Sequence, residues 1–302
     1  MISHRLQFSI PRGFNFWRTV YSHGWCALPP FSTQKEAGTF SRILSLEDEV
    51  LAECIMKDAG DKIIVLARSQ FPLTVDQKAG IKHQLKACLR LDEEMSEFYV
   101  QAQRSPQFRW IPRVGAGRML RAPTVFEDVV KMICTTNCSW SLTEVMVQNL
   151  TTQLGKGFED GKCSFPTPDA IAGKSDAFLR KHIRSGYRSP YLLELAENVA
   201  SGRLDLESWR SSPAPTTELF KTVRSVKGMG DYAAGNILKL LGRYDYLGLD
   251  SWVRSRFYDL HTKGRKVKDT TIEKHYASLG KFRGLFFWLE MTRHWYQHKF
   301  PF

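Results

Sequence analysis

Cysteine is scarce in this chain and badly spaced for metal or redox work. Of 302 residues only six are Cys, at positions 26, 54, 88, 134, 138 and 163. Cys134 and Cys138 lie one helical turn apart, but no second pair or neighbouring His completes a zinc pattern. No Cys follows Cys163, which excludes a four-cysteine iron–sulfur loop in the last third of the chain. Free, buried thiols in a reducing compartment are the expected state. No apolar run is long enough to cross a bilayer, and the opening MISHRLQFSIPRGF lacks the continuous apolar core of a secretory signal. The expectation is an intracellular protein with no membrane partner. There is no repeat at a fixed period and no long low-complexity tract. Acidic residues are in deficit: 31 Asp and Glu stand against 43 Lys and Arg, a formal charge of +12. That excess suits a polyanionic partner, although scattered solvated charge gives the same sum. At 43% hydrophobic and 25% charged, the chain has enough apolar material for a globular core.

The texture changes along the chain. Residues 1–90 hold short β-prone runs, FNFWRTVY over 14–21, 39–46 and KIIVLA over 62–67, separated by Gly- and Pro-bearing turns. They read as an antiparallel sheet domain with one or two helices, its aromatics, including Trp25, serving as core. Residues 91–302 read as a mainly helical body, with one helical lobe over about 120–210. Periodic helical patterns cover 75–91, 93–102 and 125–134, and Thr124 with Glu127 has the spacing of a capping box. A polar break, Thr135-Thr136-Asn137-Cys138-Ser139, precedes the next helix at 141–154. Ser185-Gly186-Tyr187-Arg188 leads into a helix at 192–201. An aromatic-rich helix closes the chain over 284–298.

Chemistry concentrates at 216–257. An amphipathic segment, 216–226, carries Leu219, Phe220, Val223 and Val226 at helical spacing. The loop Lys227-Gly228-Met229-Gly230 follows, then an apolar-faced segment at 231–241. This is a helix, a glycine hairpin and a helix. The glycines permit a sharp turn and close approach to a ligand, and amides opening the second helix suit a phosphate. Twenty residues past Gly230 stands Asp250, followed by Ser-Trp-Val-Arg. Read alone, Asp250 is equally an N-cap, a place Asp often takes.

Gly-Met-Gly, the Ala-bearing second helix and Leu-Asp-Ser-Trp-Val-Arg together resemble the helix-hairpin-helix DNA glycosylase superfamily. Gly-Tyr-Arg-x-x-Tyr at 186–191 and Ile-Cys-x-x-Asn at 133–137 are similar to its 8-oxoguanine branch, and the layout to that and the 3-methyladenine branch. The resemblance implies a mainly α fold with an N-terminal α+β domain, and a two-lobed helical body. It implies duplex DNA containing a damaged base as partner and a DNA-associated, monomeric enzyme. Asp250 takes the family's catalytic aspartate position. Gly228, Met229 and Gly230 would anchor phosphate. Tyr187 would wedge into the stack and Arg188 approach the widowed base. Asn137 would fill the gap left by the flipped nucleotide, or is simply a polar inter-helix turn. Backbone carbonyls of Arg224, Val226 and Met229 would hold a monovalent cation; no other cofactor is implied. Tyr232, Trp252, Phe287 and Met291 would surround the base, with Phe287 in place of the branch's base-reading Gln.

The family's lyase members carry a Schiff-base Lys at the position held here by Tyr232, and Lys239, two turns on, is expected to face elsewhere. A monofunctional glycosylase using water follows. Aromatic walls favour electron-poor alkylated purines through stacking and cation–π attraction. An 8-oxoguanine-type substrate and a non-catalytic binder of damaged DNA are the alternatives.

Overall fold

The computed structural model of the chain describes residues 1–297, Phe300 and Pro301. The first layer is a five-stranded sheet of β1 (Ile2–Ser9), β2 (Phe31–Gln34), β3 (Thr39–Ser45), β4 (Leu51–Asp58) and β5 (Lys62–Ser69), in the order β1-β5-β4-β3-β2. Every neighbouring pair is antiparallel. The register sets Leu6 opposite Val65 and Val65 opposite Met56, and the alternating side chains Phe40, Cys54, Met56, Ile63, Val65 and Ala67 are fully buried.

Two readings of this region change. The run at 14–21 is not a strand: α1 (Phe16–Val20) forms there because Asn15 caps it, its Oδ1 accepting from the Arg18 amide at 3.0 Å. β1 was not anticipated, since only the second half of Ile2–Ser9 alternates between buried and exposed. Cys26, Cys54, Cys88 and Cys134 are buried free thiols, while Cys138 and Cys163 are half-buried.

Helices follow almost without interruption. Thr74 and Gln77 form a complete capping box at the start of α2 (Val75–Leu89). α3 (Ser96–Arg104) and α4 (Trp110–Val114) come next. α5 (Val125–Thr135) is buried along nearly its whole length. Thr124 caps it as expected, accepting from the Glu127 amide at 3.2 Å, but the Glu127 side chain does not return the bond. It lies between Arg42 of β3 and Lys131, while Glu207 accepts from the Val125 and Phe126 amides instead. α5 is thus tied both to the sheet and to the second helical lobe.

That lobe continues through α6 (Trp140–Leu154), α7 (Pro168–Ala172), α8 (Asp176–Phe178) and α9 (Ser189–Ala200). α10 (Thr216–Ser225) and α11 (Asp231–Leu240) make the hairpin. α12 (Ser251–His261), α13 (Asp269–Tyr276), α14 (Arg283–Met291) and α15 (Arg293–Gln297) complete the body. The expected end of the last helix at His298 lies outside the described residues. α14 presses closely on the loop that leads to Asp250. The Gly284 amide donates to the Tyr244 carbonyl at 2.6 Å, and a Cβ at Gly284 would stand 1.9 Å from the Tyr246 carbonyl oxygen. Among the described residues no helix is long and apolar enough to cross a membrane.

Candidate nucleic-acid interface and active site

The hairpin turn is a feature only glycine permits at one of its two Gly positions. Gly228 has φ of +88°, and a Cβ there would lie 2.7 Å from the Tyr191 ring. The Met229 amide closes the turn by donating to the Val226 carbonyl at 3.0 Å, and the Met229 side chain is buried. Met229 therefore anchors the loop, and its amide is not free for phosphate as expected. Gly230 plays a different part. It is the N-cap of α11, with extended backbone, no capping side chain and open space around its Cα. The first helical bond runs from the Ala234 amide to the Gly230 carbonyl. Amides of Asp231, Tyr232 and Ala233 then lack intrahelical acceptors, as at any helix start whose cap has no side chain.

A groove of about 590 Å³ runs from the hairpin to Asn137 and Tyr187. Asn137 sits at φ +46°, a left-handed conformation that Asn tolerates better than most residues. Its Nδ2 donates to the Tyr187 hydroxyl at 3.4 Å, and that hydroxyl donates to the Thr136 carbonyl at 3.3 Å. Tyr187 is 45% exposed. The two expected DNA-facing groups thus stand together on one rim. Arg188 does not join them: it is buried, its guanidinium held by the Thr136 carbonyl and by the Tyr187 ring at 4.5 Å. The guanidinium shares the Thr136 carbonyl with the Tyr187 hydroxyl, so Arg188 supports the rim and is not presented to solvent.

Asn137 and Tyr232 also line a second, deeper cavity of about 930 Å³, in the size range of small-ligand sites. Asp250 opens into it. As N-cap of α12 its Oδ1 accepts from the Val253 amide at 2.8 Å, so capping and a place in the cavity are not alternatives. The walls are aromatic: Trp25, Trp140, Trp252, Trp288, Trp295 and Tyr232. Trp252 and Trp295 lie 5.7 Å apart at 32°, and Trp288 stands nearly perpendicular to Trp295 at the same distance. Three indole N–H groups are tied down, which fixes their rings. Trp25 donates to Asp128 at 2.8 Å, Trp140 to Glu144 at 2.9 Å and Trp288 to the Ser22 carbonyl at 3.2 Å. Asp128 also accepts from the Ala122 amide, and burial pushes its carboxyl up to about 6. His23 is a fixed neutral imidazole. Its Nε2 donates to the Leu120 carbonyl at 2.6 Å, and burial lowers it to about 4.

Two expected wall residues are elsewhere. Phe287 is fully buried, edge-on to Tyr276 at 5.2 Å, and Met291 is equally buried; neither lines the cavity. They share the inner face of α14, and Trp288, one residue on, turns to the cavity instead. Trp25 in turn proves to be wall as well as core. Tyr232 and Trp252 line the cavity. The Tyr232 phenol is pushed well above its ordinary value, first by burial and then by the charge of Asp250, which puts the ring beside the carboxylate.

Lys239 does not reach the cavity surface but lies close behind it. It is fully buried, with Nζ donating to the Leu247 carbonyl at 3.2 Å and lying 5.0 Å from the Trp288 ring. It is not among the residues lining the cavity. Burial lowers its amine to about 8, while Asp250 acts in the opposite sense. Between pH 8 and the ordinary 10.5 the unfolded chain holds a proton that the folded one has lost, so this residue makes stability rise with pH there. Comparing wild type with Lys239→Met by denaturant titration should show that extra rise in the wild type alone; parallel curves would contradict it.

No protein-family model matches the chain, and no curated protein matches it. Solved structures do. A 3-methyladenine DNA glycosylase from Archaeoglobus fulgidus superposes with TM-score 0.76 at 19% identity, over 96% of this chain and 99% of that one. An 8-oxoguanine glycosylase/lyase from Clostridium acetobutylicum gives 0.73 at 18%, covering 95% of both chains. A Schizosaccharomyces pombe 3-methyladenine DNA glycosylase, in complex with abasic DNA, gives 0.52 at 19%, over 65% of this chain and 96% of that one. With 95% or more of the chain covered in the first two superpositions, this chain has the fold of the helix-hairpin-helix DNA glycosylases.

Proposed function

We propose that the protein is a monofunctional DNA glycosylase that flips a damaged base out of duplex DNA and hydrolyses its N-glycosidic bond, with alkylated purines as substrates. The observation that carries this is a carboxylate, Asp250, opening into a cavity walled by five tryptophans and a tyrosine. Breaking the bond builds positive charge at C1′ of the sugar. An adjacent carboxylate stabilises that charge and activates water, as in glycoside hydrolysis. Electron-rich aromatic walls attract a cationic base more than a neutral one. Among the described residues no Lys lines the cavity, Tyr232 stands where the lyases carry theirs, and Lys239 is packed against the Trp288 ring with its Nζ bonded to the Leu247 carbonyl. Water is then the nucleophile, and the strand is left intact.

The groove supplies the rest. Duplex phosphates meet the α11 amides, Tyr187 enters the stack, and Asn137 occupies the space the base leaves. Carbonyls of Arg224, Val226 and Met229 belong to residues that line this groove around a tightly closed turn. Neutral oxygens of that kind fit a monovalent cation, which would add positive charge beside a phosphate.

The test is base release from duplexes carrying methylated purines, hypoxanthine, uracil or 8-oxoguanine, with and without hot alkali. Release of a methylated purine, with nicks only after alkali, is expected. Nicking without alkali, or a borohydride-trapped adduct, would overturn the monofunctional reading; release of 8-oxoguanine alone would overturn the substrate. Tyr187→Ala should weaken binding to lesion duplex by about 1–3 kcal/mol, roughly fivefold to 150-fold, as lost stacking requires. Unchanged affinity in a fluorescence titration would remove Tyr187 from the interface.

A further inference from the structure

At the end of α12 remote from Asp250, three helices bring His261, His275 and Glu290 together. One ligand atom from each lies within 4.8 Å of the others. His261 Nε2 is 3.5 Å from Glu290 Oε2, and the two imidazoles are 4.3 Å apart, centroid to centroid. The group is open to solvent through His275, which is exposed. Behind it Tyr276, 1% exposed, donates its hydroxyl to Glu290 Oε2 at 2.5 Å.

Packing alone accounts for part of this. Phe257 lies beneath both rings, 4.7 Å from His261 and 5.4 Å from His275. It does not require a carboxylate beside two imidazoles, nor a phenol fixing that carboxylate from behind. Two imidazoles this close repel when both are charged. Neutral, they offer two nitrogen lone pairs next to a carboxylate oxygen. That N, N, O set is the donor set of borderline divalent cations, and a hydrogen bond orienting the carboxylate is the usual support for such a ligand. Metal–ligand bonds of about 2.0–2.2 Å need ligand atoms roughly 3.3–3.6 Å apart. Rotation of the exposed His275 side chain supplies the closure.

We propose that His261, His275 and Glu290 form a three-ligand site for a divalent cation, Zn²⁺ by donor type, with a water completing the tetrahedron. It is a structural site. His261 lies eleven residues along α12 from Asp250, about 16 Å at helical rise. The bound ion pins α12, α13 and α14 to one another. α12 is capped by Asp250, and α14 carries Trp288 two residues before Glu290, so one ion would tie the far end of the helix that the carboxylate caps to the turn of α14 that holds a cavity wall.

The test uses the full chain, free of any His-tag and stripped with chelator, titrated with ZnCl₂ against a chromophoric chelator under reducing conditions. One equivalent is expected to bind. Saturation should raise Tm by roughly 5 °C at a hundredfold excess over Kd. Co²⁺ in place of Zn²⁺ should give the intense visible bands of a tetrahedral ion. His275→Ala, at an exposed position that folding tolerates, should weaken binding at least a hundredfold and abolish the Tm gain; Glu290→Gln should weaken it less. Binding that survives His275→Ala and His261→Ala but is lost in Cys138→Ser or Cys163→Ser would assign the ion to thiols and overturn the proposal. No binding at all to the wild-type chain would do the same.

Discussion

Asp250→Asn is expected to yield a chain that folds, binds lesion duplex as tightly as wild type, and releases no base. The substitution is chosen because it separates the capping of α12 from the catalytic charge proposed for Asp250. As N-cap, Asp250 accepts from the Val253 amide at 2.8 Å. Asn caps a helix about as well as Asp, so α12 keeps its start, whereas Asp250→Ala would forfeit roughly 1 kcal/mol. What Asn lacks is the negative charge that the proposal sets beside the sugar. Losing a single preorganised electrostatic partner typically costs about 100- to 1,000-fold in rate, and the group facing an oxocarbenium centre should cost at least that. Single-turnover release from a methylated-purine duplex, beside a binding titration of the same duplex, measures both. Release within tenfold of wild type would mean that another group bears the charge and that the proposed role of Asp250 is wrong.

The second large effect concerns stability. Glu127→Ala should destabilise the protein by about 3–5 kcal/mol. Glu127 lies between two buried cations, Oε2 at 3.0 Å from Arg42 and Oε1 at 2.8 Å from Lys131, with side-chain exposures of 2% or less for all three. The Phe31 ring lies beneath both, 4.5 Å from the Arg42 guanidinium and 4.9 Å from the Lys131 amine. Removing the carboxylate strands two charges in the core, against a total stability of about 5–15 kcal/mol for a typical domain. Replacing all three residues by apolar ones of similar volume should cost far less, because the desolvation penalty leaves with the charges. The pH dependence has a definite sign. Burial alone would raise the Glu127 carboxyl, but Arg42 and then Lys131 hold it below its ordinary 4.5. A depressed carboxyl contributes fully above that ordinary value and loses its contribution as pH falls through the folded one. The gap in Tm between wild type and Glu127→Gln should therefore be steady from pH 7 to about 5 and close below about 4.5. A gap that widens with acid would contradict the assignment.

Local features were the legible ones. The hairpin and Asp250 could be read because the turn, the helix start and the carboxylate are set by neighbours within a few residues. Only Tyr232 and Trp252 of the pocket walls could be read beside them; Trp25, Trp140, Trp288 and Trp295 come from distant stretches of the chain. No periodicity links these. On α14 the error was a rotation of one residue. Phe287 and Met291 are four apart and share a face, and that face packs against Tyr276, while Trp288, about 100° round the helix, reaches the cavity. Arg188 was misread for a similar reason: exposure of a loop does not fix the exposure of each side chain, and the Thr136 carbonyl claims the guanidinium. The capping box at Thr124 was half right because a tertiary partner, Arg42, competes for Glu127 with a local backbone amide and wins on charge.

Gly24 and Trp25 carry a consequence beyond wall chemistry. A Cβ at Gly24 would stand 2.3 Å from the Trp140 ring, so the sheet layer and the second helical lobe touch across the cavity with no room for a methyl group. The cavity is consequently a property of the whole chain. A fragment beginning at residue 91 would keep the hairpin and Asp250 yet have an open side where Trp25 belongs. Base release should then disappear in the same cooperative transition as the sheet, and the two layers are bound to change together whenever either is exchanged for that of a relative.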